Sequence, residues 1–167
     1  SQKDWDELIT LMNELDAPKD KRLQPYILEY YRTISDEKLA ANVTSKEDLL
    51  STLYYDFGTH SQNKFVADWF EFNLNINNLL TALACRKHGF DIKPAIVGNN
   101  EVAKTIRTSN THDFNLSGIF EPVEAIMAIS ENPNLLEREK AIDNLKWNWL
   151  EEHTFFNYFT IERVLAF

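Results

Sequence analysis

The sequence has very few of the residues that interrupt a chain or cross-link it. It contains one cysteine, four glycines and five prolines among 167 residues. The single Cys85 cannot form an internal disulfide, which indicates a reducing compartment. So few glycines and prolines leave room for long helices and argue against a sandwich of short strands joined by turns.

Positive charge is also scarce. Lysine and arginine number 17 against 26 aspartates and glutamates, which gives a formal net charge of −9. Basic residues cluster only at Lys19, Lys21 and Arg22. Because nucleic-acid binding usually requires a basic patch, we expect no nucleic-acid partner. An acidic surface is typical of a protein that docks onto basic protein surfaces.

Long apolar runs and a signal peptide are missing as well. No uncharged apolar run reaches the roughly 18 residues of a transmembrane helix, so we expect no direct insertion into a membrane. The sequence begins at Ser1 and stops at Phe167 inside an apolar-periodic segment. We interpret it as a fragment of a longer chain.

Apolar residues at helical spacing, in contrast, are abundant. Hydrophobic residues make up 44% of the chain and aromatic residues 13%, and their period predicts an all-α, irregular multi-helix bundle. We expect residues 1–60 to form an N-terminal helical segment and residues 61–167 a helical bundle domain. The predicted helices cover residues 4–15, 25–34, 45–58, 63–88, 101–108, 122–129, 135–150 and 155–167.

The longest predicted helix spans residues 63–88 and ends at Gly89. Its apolar residues cover most of its circumference, so neighbouring elements must surround it. We expect it to pack against the helices Leu135–Leu150 and Phe155–Phe167, whose aromatic residues also require burial.

The residue types of an active site are present, but no arrangement of them predicts chemistry. Asp56 and His60 share a helix face, yet two ligands do not make a metal site. Gly89 and Gly98 are isolated and form no phosphate loop. We therefore expect no metal, no cofactor and no catalytic site. An enzyme with a dispersed carboxylate site stays open as an alternative.

One polar feature of the long helix is less ordinary. Asparagine is a poor helix former, yet four asparagines fall within six positions, Asn73 to Asn78. Asn75 and Asn78 lie on a narrow stripe with Ala82 and Cys85, and Arg86 follows. Such a stripe either fixes the helix register through satisfied core amides or meets a partner. We expect Asn78 to be structural and Arg86 to position a neighbouring helix or to bind another chain.

The same helix resembles a known family. The run Phe72 to Leu80, followed by Arg86-Lys87-His88-Gly89, resembles the acidic-x-x-Asn-apolar helix of the C subunit in the central stalk of A/V-type ATPases, which is called d in eukaryotic complexes. Asn75 stands where that family has an acidic residue, which removes a charge and its possible ion pair.

A bacterial family of uncharacterised proteins, encoded among V-type ATPase subunits, is similar over more of the chain. The similarity covers residues 60–167 well and the first third loosely, and the run Glu137 to Arg163 is its most specific part. Within that run, Arg138 and Arg163 are further candidates for structural or partner contacts.

The resemblance implies a fold like that of the central-stalk C subunit and a mechanical role. It implies a non-catalytic structural subunit of a V/A-type proton- or sodium-translocating ATPase, which couples the central shaft to the membrane rotor ring. Its partners would be those protein subunits, and it would lie in the cytoplasm, peripheral to the membrane through them. A generic helical protein–protein adaptor, unrelated to any ATPase, is the alternative that composition permits equally well.

Overall fold

The computed structural model describes residues 23–43 and 45–155, with the backbone alone at Phe155. These residues form seven α-helices and one 3₁₀-helix and contain no β-strand, which confirms the predicted all-α class. The helices are α1 (Pro25–Ser35), α2 (Glu37–Ala40), α3 (Lys46–Thr59), α4 (Lys64–His88), the 3₁₀-helix Lys93–Ala95, α5 (Glu101–Thr108), α6 (Val123–Glu131) and α7 (Leu135–Phe155). The predicted helix over 4–15 and the predicted helix beyond residue 155 lie outside the described residues.

The chain divides into two compact units, Ser1–His60 and Ser61–Phe167. None of the helices within the described ranges is long and apolar enough to cross a membrane.

In the first unit, α1 packs against α3 through aromatic rings. The Tyr26 ring centre lies 5.7 Å from that of Tyr54 and 5.3 Å from that of Phe57. Ser45 caps α3 by accepting a hydrogen bond from the Asp48 backbone N–H at 3.1 Å. The Ser45 hydroxyl donates to Glu47. The reciprocal bond of a capping box, from the Ser45 backbone N–H to the Asp48 carboxylate, is not formed between these two residues.

In the second unit, α4 begins and ends where its local sequence requires. The Asn63 side chain accepts a hydrogen bond from the Val66 backbone N–H, which satisfies a free donor of the first turn. Gly89 has a φ of 71°, the left-handed conformation that glycine adopts without strain at a helix end. The predicted span of 63–88 therefore differs from the observed helix by one residue.

A single apolar core lies around α4. It includes fully buried side chains from α4, α5, α6 and the segment between α5 and α6: Ile76, Leu79, Ile106, Phe114, Leu116, Val123 and Ile126. Trp69 and Leu83 of α4 are partly buried and pack against this core.

The neighbours of α4 differ in part from those predicted. Its closest packing is with α6 and α5, while α7 reaches it mainly through Trp149. The Trp149 ring lies 5.1 Å from Phe72, 5.3 Å from Trp69 and 5.8 Å from Phe65. The aromatic contact predicted between the long helix and the 135–150 region thus forms, but only at the C-terminal half of α7. The reason is that the short α6 supplies the apolar face, with Val123, Ile126 and Met127, that covers much of α4.

Candidate functional site

The Asn78 side chain is 2% exposed and binds one residue of the loop between α4 and α5. Its amide nitrogen donates to the Val97 carbonyl at 2.8 Å, and its amide oxygen accepts from the Val97 backbone N–H at 2.9 Å. The amide therefore pairs with Val97 as a neighbouring strand would, although no strand forms there. A short extended segment is held against the face of α4.

Asn75, one helical turn before Asn78, holds the next part of the same loop. Its side-chain oxygen accepts a hydrogen bond from Asn100 at 2.8 Å, and the Asn100 amide also donates to Glu71 at 3.0 Å. Asn100 in turn caps α5, because its side-chain oxygen accepts from the Ala103 backbone N–H. Asn75 thus fixes where α5 begins relative to α4.

Arg107 also holds the loop between α4 and α5, and it was not among the site residues predicted from the sequence. Its guanidinium donates to the carbonyls of Ile96 and Gly98, both at 2.7 Å, and to the Asn99 side chain at 3.2 Å. Gly98 has a φ of 78°, and a Cβ there would lie 3.1 Å from Leu74 of α4. In the sequence, only Gly98 could have pointed to this loop, and an isolated glycine does not predict the bonds that Arg107 makes.

Arg86, at the C-terminal end of α4, binds a loop of its own chain. Its guanidinium donates to the carbonyls of Thr111 at 2.7 Å and His112 at 2.6 Å. Its central carbon lies 3.7 Å from the centre of the buried Phe114 ring, a cation–π contact. Arg86 therefore positions the loop that follows α5, whereas we expected it to position a neighbouring helix or to bind another chain.

That loop, residues 109–118, is organised by Asp113. Its carboxylate accepts hydrogen bonds from the Ser117 hydroxyl at 2.6 Å, from the Asn115 backbone N–H at 3.0 Å and from the Thr111 hydroxyl at 3.0 Å. These hydrogen bonds hold the pKa of Asp113 well below its ordinary value, and the bond from Ser117 contributes most. Partial burial lowers the pKa of Arg86, and the charge of Asp113 opposes that effect. Arg86 remains a cation at neutral pH.

Of the other two predicted site residues, the structure describes only Arg138. Arg138 lies in the first turn of α7 and is half-buried. No hydrogen bond within the described ranges joins its side chain to Asn75, Asn78 or Arg86. Arg163 lies outside the described residues. The site therefore consists of Asn75, Asn78 and Arg86, with Arg107 and Asn100 added.

Metal ligands are not grouped in the part of the chain that the structure describes. No set of three or more His, Cys, Asp or Glu residues there could hold a metal ion. Asp56 and His60 do lie close, with 3.3 Å between the carboxylate and the imidazole, on an exposed face of α3. Cys85 is buried in α4. That the protein requires no metal or cofactor stays a prediction.

A groove opens beside the core, between α6 and α7. We name it the α6–α7 groove; it has a volume of about 710 Å³. Its floor is defined here as the buried or partly buried lining side chains Phe72, Phe120, Leu145 and Trp149. Glu121 and Glu152 lie at its edges, and a smaller hollow lined by Asp68, Glu71 and Glu101 continues from it. The arrangement suits contact with another macromolecule better than enclosure of a small substrate, because the groove is open to solvent and not an enclosed cavity.

The fold and site together define an all-α protein in which two buried asparagines, with Arg86 and Arg107, hold its own loops in place. The whole chain, residues 1–167, belongs to the family described as protein of unknown function DUF2764. No curated protein and no solved structure matches the chain.

Proposed function

We propose that this protein is a non-catalytic structural subunit of a V/A-type ion-translocating ATPase, which couples the central shaft to the membrane rotor ring. In this proposal its partners are the shaft and ring subunits, and it is held at the membrane through them. A fold like that of the central-stalk C subunit is part of the same proposal.

The observation that carries the proposal is the place of the resemblance within the fold. The resembling residues, Phe72 to Leu80 and Arg86 to Gly89, lie on one continuous helix of 25 residues and at its end. Gly89 ends that helix in the left-handed conformation, as the basic-pair-then-glycine pattern of the resemblance implies. The residues that carry the resemblance therefore lie on α4, the helix around which the core of the second unit is packed.

The contacts of the polar residues agree with a mechanical role. Asn75 and Asn78 fix the loop between α4 and α5, and Arg86 fixes the loop after α5. Hydrogen-bonded side chains of this kind restrict internal motion, and at the buried Asn75 and Asn78 a lost bond would leave a buried polar group unsatisfied. A subunit that transmits torque between two partners requires such rigidity.

A generic helical protein–protein adaptor is the second candidate, and the exposed apolar side chains of α7 support it as they support any protein-binding role. Leu135, Leu136 and Trp147 are 64%, 60% and 61% exposed. Contiguous apolar surfaces mark protein-binding sites in general, and these three side chains contribute exposed apolar area to α7. They do not distinguish an ATPase partner from any other protein.

Affinity purification of the tagged full-length protein from detergent-solubilised membranes of its host separates the two candidates. The ATPase proposal predicts that shaft and rotor-ring subunits co-purify in stoichiometric amounts. A tagged, unrelated helical protein of similar charge is the control for non-specific capture. Recovery of a stoichiometric partner from outside any ATPase, without those subunits, would overturn the proposal in favour of an adaptor.

A further inference from the structure

The α6–α7 groove combines an apolar floor with edges that carry two carboxylates, and its one further titratable lining side chain in the described ranges is His153, which stacks on Trp149 at 3.8 Å. Trp149 and Phe72 stack 5.1 Å apart at its floor, and Phe120 meets Phe72 edge-on. Its edges carry Glu121 and Glu152, both exposed. Neither forms an ion pair within the described ranges, and no described lysine or arginine lines the groove or the smaller hollow beside it.

We propose that the α6–α7 groove binds an amphipathic helix of a partner protein, one that carries lysine or arginine beside its apolar face. The apolar face would cover the aromatic floor, and the cations would meet Glu121 and Glu152. This inference does not depend on the ATPase assignment, since it rests on the chemistry of the groove alone.

The walls of the groove favour a helix as the occupant. Both walls are helices, and a third helix can place its side chains between theirs as in ordinary helix packing. The nine residues of α6 give a wall of about 13 Å at 1.5 Å rise per residue. Such a wall accommodates between two and three turns of a partner helix.

Charge complementarity favours a partner over the chain itself. Two copies of this chain would bring two acidic edges together, and each copy has a net charge of −9. The segment 156–167 offers only Arg163, next to Glu162. Neither occupant supplies the excess of cations that the edges of the groove would attract.

Binding of a designed peptide tests the proposal on the whole 167-residue chain. The probe is a fluorescent 18-residue helix with leucine on one face and lysine on both flanks, and its partner probe has glutamate in place of every lysine. Fluorescence anisotropy should show saturable binding of the lysine peptide, weakening with added salt as exposed charge pairs do. Absence of saturable binding, or equal binding of both peptides, would overturn the proposal.

Two pairs of matched variants decide whether binding occurs in the groove. Ala125 is exposed and lines the groove, whereas Ala128 is exposed on the same helix and does not line it. Ala125→Trp should weaken binding of the lysine peptide by roughly tenfold or more, because the indole occupies the floor, and Ala128→Trp should leave it unchanged. Equal affinities for the two variants would contradict the proposed location.

Charge reversal gives the second pair. Glu121→Lys with Glu152→Lys removes both acidic edges, while Glu131→Lys with Glu139→Lys changes the net charge equally at exposed positions outside the groove. The first double variant should lose roughly tenfold in affinity and the second should lose much less. Equal losses would mean attraction to overall charge only and would overturn the proposal.

A photo-reactive residue at position 125 identifies the occupant in cell extract. The proposal predicts cross-links to a basic, helical segment of another protein that the lysine peptide competes away. Cross-links to residues 156–167 of the same chain, or to a second copy, would assign the groove to that occupant and overturn the proposal.

Discussion

The side-chain amide of Asn78 pairs with both backbone groups of Val97, donating to its carbonyl at 2.8 Å and accepting from its N–H at 2.9 Å. The two residues are 19 positions apart, so the pair fixes the loop between α4 and α5 against the middle of α4. Together with the Asn75–Asn100 bond, it determines how α4 and α5 lie relative to each other.

Removing the Asn78 amide should destabilise the second unit. Asn78→Leu keeps a similar volume but leaves the Val97 N–H and carbonyl without their partner, which should lower the free energy of unfolding by about 1–3 kcal/mol. Ala84→Leu adds the same side chain at an exposed position of α4 and is the control. Urea unfolding measures both, and equal stability of the two variants would show that the pair contributes nothing.

Arg86 should act on the loop after α5. Arg86→Ala removes two charged hydrogen bonds and the contact with Phe114, which should cost about 1 kcal/mol because the site is largely exposed to solvent. Arg86→Lys should restore little of it, since an ammonium group cannot reproduce the two-pronged geometry. Hydrogen exchange at the amides of Asn115 and Leu116 should accelerate in both variants. In the control Lys87→Ala, exchange at these amides should match the unsubstituted chain; unchanged exchange in Arg86→Ala would contradict the prediction.

The low pKa of Asp113 predicts the direction of a pH effect. The pKa of this carboxyl is lower in the folded chain than in the unfolded chain, where it lies near 4. The stability that it contributes is therefore complete above about pH 4 and is lost as the pH falls toward the folded pKa. Asp113→Asn should accordingly flatten the loss of stability between about pH 5 and pH 2.5.

Urea unfolding across that range measures the effect of Asp113. The control is Asp143→Asn, which removes an exposed carboxylate of α7. An acid profile of Asp113→Asn that matches the unsubstituted chain would contradict the role given to the hydrogen bonds from Ser117, Asn115 and Thr111.

Two tryptophans of the second unit test the aromatic cluster. Trp69 contacts Trp149 at 5.3 Å and packs on the core, whereas Trp147 is 61% exposed. Trp69→Ala should lower the free energy of unfolding by about 2–3 kcal/mol, less than for a fully buried tryptophan. Trp147→Ala should change it by less than about 0.5 kcal/mol. Equal losses of stability in the two variants would show that the contact of Trp69 with Trp149 does not stabilise the second unit.

Features set by neighbours in sequence were predictable, and features set by distant residues were not. The span of α4 followed from its apolar period, and its end followed from Gly89, because both signals act within one or two turns. The bonds of Arg107 to the loop at Ile96 and Gly98 left no periodic signal, since they depend on where the chain returns. For the same reason the packing of α6 on α4 was not predicted.

The candidate site was predictable only in part: the sequence singled out Asn75, Asn78 and Arg86 but not Asn100, Arg107 or any of the bonding partners. Asn75 and Asn78 were recognisable because asparagine is a poor helix former, and Arg86 was chosen because it follows their stripe on the same helix. Their bonding partners lie 19 residues away for Val97 and 25 for Asn100 and Thr111. The α6–α7 groove is a property of packed helices, and no sequence pattern predicted it.

The coupling role is the central claim, and ATP-driven ion transport in membrane vesicles tests it most directly. Vesicles are prepared from host cells that lack the gene and from the same cells carrying it on a plasmid, and ATP hydrolysis is measured beside ion uptake. The account predicts that hydrolysis persists without the protein while ATP-driven uptake is lost, and that the plasmid restores uptake. Normal uptake and normal hydrolysis in vesicles that lack the protein would contradict the claim.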